Sequence, residues 1–328
     1  MPSRRLRFLP KSGSVGRFLE VWGSTLTFVA IIVVFSVLSP SFRTTSNLVN
    51  VLVQSAPILV IALGVTLVNM AGETDLSFGG TVGLSASLFC GFIAHGATPA
   101  LAAFVSIGSA LVFGLVNGVM VAYGRLSSFI TSLSIMFLAM GLEYAYSGGQ
   151  SLWVRDNPVT KLVTASIGGV PFMVLITLAL FLAVYLMMHQ TRTGLHIRSV
   201  GLSQDAAKYA GIHTKTIKLL MFTLAGVFYA AGGVLNALRS SGSIIYSGQR
   251  LLLPVLAVTF IAKTILGTKR PNIPGILIGA LMLASISTAF TLMGYEFYYI
   301  VIAQGVVLLF GAILSVNDRS IILQEDLR

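Results

Sequence analysis

The sequence predicts an all-α integral membrane protein of about ten transmembrane helices. Three observations predict it. Of the 328 residues, 55% are apolar and only 9% charged, with a mean hydropathy of +0.91, far from the composition of soluble domains. Apolar runs long enough to cross a bilayer recur along almost the whole chain. The basic residues, which give a net charge of +11, gather in alternate connections between those runs, as the positive-inside bias requires. They form no aromatic-interleaved patch on a soluble domain, which argues for a membrane topology and against a nucleic-acid partner.

The chain opens on a basic tail, residues 1–21, carrying Arg4, Arg5, Arg7, Lys11 and Arg17. The apolar run at 22–39 has no small-residue cleavage pattern after it, so it reads as an uncleaved first helix and not as a signal peptide. Residues 40–53, with Arg43, read as an interfacial segment. Nine more runs follow at 54–71, 77–96, 99–122, 129–147, 170–188, 216–238, 251–267, 274–291 and 297–315. Residues 22–316 thus make one transmembrane domain, and 317–328 a second tail. Two connections are long, 148–169 and 189–215.

With both termini in the cytoplasm, fifteen of the 21 lysines and arginines fall on the inner side. Arg43, Arg155, Lys161, Arg239 and Arg250 fall outside, and Lys263 lies within the eighth span. Removing one span would carry the basic stretch 189–218 to the outer side, against the bias. Under this topology spans 2–5 and 7–10 run in opposite senses, the arrangement of an inverted repeat around a midplane pathway. Gly79 and Gly83, Gly114 and Gly118, and Gly275 and Gly279 stand four apart, a spacing that lets helices approach closely in lipid.

The connection 189–215 is polar, basic and longer than a join between two helices needs. Within it Ser203 is placed to cap a helix, Asp205 sits in the first turn where the dipole favours an anion, and Gly211 is placed to end the helix. A helix of two turns is marginal by itself, so a partner is expected to hold it, on the low surface of Ala206, Ala207 and Ala210.

The stretch "DAAKYAGI", residues 205–212, resembles the coupling loop with which membrane subunits of bacterial ATP-binding-cassette importers dock on their ATPases, with Ala206, Ala207, Gly211 and Ile212 carrying the match. Its wider context, "TRTGLHIRSVGLSQDAAKYAGIHTKTIK", is similar to the form found in ribose/xylose-type sugar permeases. So are "GVTLVNMAGETDLSFGG" (64–80) and "NGVMVAYGRLSSFITSLSIMFLAMGL" (117–142), and the likeness covers about 44–316. Ala71, Thr74, Ser128, Leu202 and Gln204 depart from the family's usual residues, and 257–275 departs most. The resemblance implies a permease fold and a multi-pass chain in a bacterial inner membrane. It also implies three partners: an ATPase that holds ATP and magnesium, a second permease chain, identical or paralogous, and a periplasmic binding protein that delivers cargo.

The polar residues within the apolar runs suit that expectation. Glu73 and Asp75, in "GETDLS", are placed to cap the third span or to form a gate. Asn69, Asn117, Thr131, Ser134 and Asn236 are uncharged, fitting either bonds between helices or a pathway for a neutral sugar or polyol. Glu143 and Lys263 are ionisable at membrane depth, each able to reach an interface. Cys90 reads as a small buried hydrophobe. His95, His189, His196 and His213 have no metal-ligand spacing, no catalytic constellation is present, and no phosphate-cradling glycine loop is found. The chain is therefore expected to bind no cofactor and to draw its energy from a partner. Branched-chain amino acids or nucleosides are the alternative cargo, and an ion-coupled secondary transporter the alternative mechanism.

Overall fold

The computed structural model describes residues 14–154, 165–265 and 270–315. Residues 1–13 of the basic tail, Arg155, Lys161, Lys269 and the tail 317–328 lie outside the described residues. Each of the ten apolar runs is helical: α1 (Ser14–Leu38), α2 (Thr45–Met70), α3 (Phe78–Ala94), α4 (Pro99–Ala122), α5 (Ser128–Ser147), α6 (Phe172–Gln190), α9 (Thr214–Ser240), α11 (Leu252–Thr264), α12 (Ile273–Leu292) and α13 (Phe297–Ser315). Between α6 and α9 lie α7 (Arg192–Leu202) and α8 (Gln204–Tyr209), and between α9 and α11 the single turn α10 (Ser247–Arg250).

The boundaries have local causes. Thr44 accepts from the Asn47 N–H to start α2, Thr98 accepts from Leu101 N–H with Pro99 in the first turn of α4, and Asn272 accepts from Gly275 N–H to start α12. Gly148, in the left-handed region, ends α5.

Among the described residues α2, α4, α5, α6, α9 and α12 are long and apolar enough to cross a membrane; Thr25–Leu38, α3 and Phe297–Leu309 are shorter apolar helices. The all-α membrane class therefore stands. Two expectations change. The interfacial segment at 40–53 is a 3-10 turn, Pro40–Arg43, followed directly by the start of α2. The eighth run is not span-length: among the described residues it holds one helix, the thirteen-residue α11, preceded by the separate turn α10, and α11 alone falls short of the ~20 residues a span needs.

The centre of α2 is wholly buried from Leu59 to Val68. On one side α9 packs along α2, α3 and α4, and α3 packs on α4 and α5; on the other, α12 packs on α2 and α11, and α11 on α13. The six glycines of the four-apart pairs each face another element: Gly79 and Gly83 face α5, Gly114 and Gly118 face α9, and Gly275 and Gly279 face α11. The connection 148–169 takes part in two small antiparallel pairs. β1 (Leu152–Trp153) pairs with β4 (Gly242–Ser243), fixing the segment after α9, and β2 (Ser166–Ile167) pairs with β3 (Val170–Pro171).

Candidate functional site

The connection 189–215 folds as two helices where one was expected. Thr191 caps α7 by accepting from Gly194 N–H, and the Arg198 guanidinium donates to the Met188 carbonyl, so α7 folds back on the end of α6. Gly194, Ile197 and Val200 form its buried face. At its end Gly201 lies against the Met70 carbonyl and Gly72, in a gap that no Cβ could enter. α7 is thus held backbone to backbone against the junction between α2 and α3.

α8 has the caps its sequence predicts. Ser203 Oγ accepts from Ala206 N–H at 3.2 Å, and Asp205 stands in the first turn. At the other end Gly211 N–H donates to Lys208 O and Ile212 N–H to Ala207 O, both at 3.0 Å, a pattern that Gly211 permits with φ +79°. The expected smooth alanine surface is revised. Ala207 turns inward and is buried, because the helix needs one small anchor against the body, whereas Ala206 and Ala210 are exposed beside Tyr209, 92% exposed. Ile212 is half-buried.

The α2–α3 junction, residues 71–77, collects the polar groups of this end. Glu73 Oε1 lies 2.5 Å from Lys218 Nζ, which also donates to Gln204 Oε1 at 3.1 Å. Thr74 N–H donates to Ser128 Oγ on α5 at 3.2 Å. Asp75 is buried, and its Oδ1 accepts from Ser77 N–H at 2.8 Å and from Asn117 Nδ2 at 3.4 Å, while its Oδ2 accepts from Tyr229 Oη at 2.9 Å. The N-cap residue of α3 is Ser77, whose side chain makes no capping bond, and Asp75 accepts from the Ser77 N–H just ahead of the helix and from no N–H within it; the carboxylate is chiefly a knot joining α3, α4 and α9. Burial raises its pKa, and the donors from Ser77 and Tyr229 oppose that rise. An open basin of about 450 Å³ is lined by Gln204, Asp205 and Lys208 of α8, Arg125 and Leu126 of the α4–α5 turn, and the Glu73–Lys218 pair.

A second knot lies toward the far end of α5. Glu143 was equally readable as an interfacial residue; it is fully buried. Its Oε1 accepts from Ser87 Oγ and from Tyr246 N–H, both at 3.2 Å, and Ser87 also bonds Ser243 Oγ at 2.9 Å. Its Oε2 is buried without a partner among the described residues, against Gly83. Glu143 thereby ties α3 and α5 to the segment 241–250, which begins and turns on two non-glycine residues with positive φ, Ser241 and Tyr246.

The remaining predicted residues do not converge. Thr131 and Ser134 donate to Ser127 O and Ile130 O of their own helix, and Ser134 is exposed. Asn236 accepts from Arg239 and lies toward the end of α9 far from α8, and Asn69 is half-buried. Lys263 sits over the Phe260 ring, and Cys90 is buried. Tyr229, Ser87 and Tyr246 carry the two knots and Lys218 the ion pair to Glu73, and none was singled out from sequence as a site residue. Two carried a signal. Tyr229 is a hydroxyl inside the apolar run of α9, which needs a partner when buried, and Lys218 is a cation near a helix N-terminus, where the dipole disfavours it.

Comparison with known proteins agrees over nearly the whole chain. Residues 47–313 match the family described as branched-chain amino acid transport system / permease component. The ribose import permease of Escherichia coli K12 is 32% identical over 308 residues, which cover 91% of this chain and 95% of that protein. The ribose import permease of Bacillus subtilis 168 is 29% identical, covering 90% and 93%, and the L-arabinose ABC transporter permease of Azospirillum brasilense 27%, covering 94% and 91%. No solved structure matches.

Proposed function

Because the chain belongs to the branched-chain amino acid transport system / permease component family, we propose that it is the membrane-spanning subunit of an ATP-driven importer for a neutral sugar or polyol. The relatives named above are ribose import permeases and an L-arabinose ABC transporter permease; cargo of the amino-acid class has only the family's description behind it.

The observation that carries this reading is α8: a capped, terminated helix anchored by Ala207 and presenting Tyr209, Ala206 and Ala210 outward at one end of the bundle. A partner ATPase grips that helix and holds ATP and magnesium, while this chain binds neither. A periplasmic binding protein delivers cargo to the opposite end, and a second permease chain, identical or paralogous, completes the pathway. The membrane is the bacterial inner membrane, the termini are cytoplasmic, and α7 and α8 face the cytoplasm.

Ten crossings, with α10 and α11 together making the eighth, are supported by the charge bias and by the packing. The contacts α2–α12, α3–α4 and α3–α5 recur as α9–α4, α11–α12 and α11–α13. That is the pairing an inverted repeat of α2–α5 and α9–α13 would give, with α2 against α9 at its centre. The knots at Asp75 and Glu143 then occupy the corresponding junctions, α2–α3 and α9–α11, at opposite ends, where one gate must close as the other opens.

The test is uptake. Proteoliposomes carrying the chain, its ATPase and its binding protein should accumulate labelled ribose or another neutral sugar only when ATP is supplied. Uptake by this chain alone on a proton or sodium gradient would overturn the proposal.

A further inference from the structure

We infer that the Glu73–Lys218 ion pair, braced by Gln204, is the strut that carries displacement of α8 to the Asp75 knot, making Glu73 and Lys218 positioning residues for transport. The inference rests on the docking of an ATPase at α8.

The strut has three independent supports. The first is the ion pair. The Lys218 and Glu73 side chains are 11% and 16% exposed at a separation of 2.5 Å, so water and salt screen them little. Lys218 stands in the second turn of α9, whose first turn has no acidic residue. The start of α9 thus carries two cations, Lys215 and Lys218, and no anion of its own, and Glu73, from another element, supplies the missing negative charge. A residue that breaks a local rule and is answered by a distant partner marks a place where tertiary structure has set the choice.

The second support is backbone contact. Gly201, at the end of α7, lies on the Met70 carbonyl and beside Gly72. No compressible side chain intervenes, so the α7–α8 elbow and the α2–α3 junction move together. Gln204, the first residue of α8, adds its bond to Lys218 from the same elbow.

The third is the basin. About 450 Å³ of open space lies between α8 and the turn at Arg125 and Leu126. Across that space α8 reaches the α2–α3 junction and α9 through the Gln204–Lys218–Glu73 bonds and the Gly201 contact, so a push on α8 is taken up there. Asp75 is two residues from Glu73, and its bonds to Asn117 and Tyr229 pass the movement to α4 and α9. Spatial continuity alone does not establish coupling; a reversal of both charges does.

The experiment uses the reconstituted importer with Lys218→Glu, Glu73→Lys and the double reversal, measuring ATPase co-purification, ATP hydrolysis and sugar moved per ATP. Each single reversal should keep its ATPase and hydrolyse ATP while moving about tenfold less sugar per ATP. The double reversal should return that ratio to within about threefold of the parent. Should a single reversal fail to insert, Lys218→Met and Glu73→Gln give the same ratio without a repulsive pair. An unchanged ratio in the single variants, or a double reversal as defective as either, overturns the strut. Single variants that lose the ATPase overturn it too, by placing the pair in the docking surface, whereas a parent chain that never holds an ATPase sinks the docking reading alone.

Discussion

Tyr229 on α9 gives its hydroxyl proton to Asp75 Oδ2 at 2.9 Å, joining residues 154 positions apart in a place where neither is open to water. The ring of Tyr229 also packs on Phe78, with centroids 5.8 Å apart. One side chain thus ties α9 to the start of α3 by both polarity and shape.

Removing the hydroxyl alone tests the polar half of that tie. Tyr229→Phe keeps the ring and leaves the buried carboxylate one donor short, which should cost about 1–3 kcal/mol in thermal unfolding of the purified chain. Asp75→Ala strands donors from Ser77, Asn117 and Tyr229 together and should cost more. Equal melting of Asp75→Ala and the parent would dismiss the knot.

Glu143 and Gly83 should behave as one unit. A Cβ at Gly83 would come 2.5 Å from Glu143 Oε2, so Gly83→Ala should be destabilising in the parent and nearly harmless in a Glu143→Ala background. Residues in contact commonly couple by about 0.5–3 kcal/mol. Additive melting shifts across the four proteins would show that the contact is not tight.

At the same knot, Glu143→Gln keeps an oxygen for Tyr246 N–H and Ser87 Oγ, whereas Glu143→Leu strands both donors. The glutamine variant should melt near the parent, and the leucine variant lower by about 1–3 kcal/mol. Release of segment 241–250 in the leucine variant should also appear as faster amide hydrogen exchange at Tyr246. Unchanged exchange there would remove Glu143 as the tie.

The proposed docking of an ATPase at α8 makes a prediction that separates surface from support. Tyr209→Ala, at a 92% exposed position, should leave melting unchanged and weaken ATPase binding by at least about 2 kcal/mol, the size of an interface hot spot. Gly211→Val forces a β-branched residue to φ +79° and should loosen the helix end itself. Ala207→Glu should do both harms, since Ala207 faces the body. Full ATPase retention by Tyr209→Ala would move the docking surface elsewhere.

Local features were legible where local physics sets them. The Ser203 cap, Asp205 in the first turn and the stop at Gly211 follow from backbone hydrogen bonds a few residues away, and each appears in the fold. Ser134 and Thr131 were poor guides because a hydroxyl in a helix is satisfied by its own preceding turn, which makes a polar residue in an apolar run a weak sign of a pathway. Ala207 looked like surface because a small residue suits either a buried or an exposed face.

The sequence by itself determined ten helical runs and many of their ends, since apolar length and capping act within or beside each segment. Tertiary structure alone decided that Glu73 meets Lys218, that Asp75 meets Tyr229 and Asn117, and that Glu143 meets Ser87 and Tyr246. It also decided that the helix of the eighth run, α11, has only thirteen residues. Those pairings depend on how each helix is rotated and how far it slides against its neighbours. Apolar periodicity constrains rotation weakly when lipid and protein interior are equally greasy, so polar partners far apart in the chain are found only once the helices are packed.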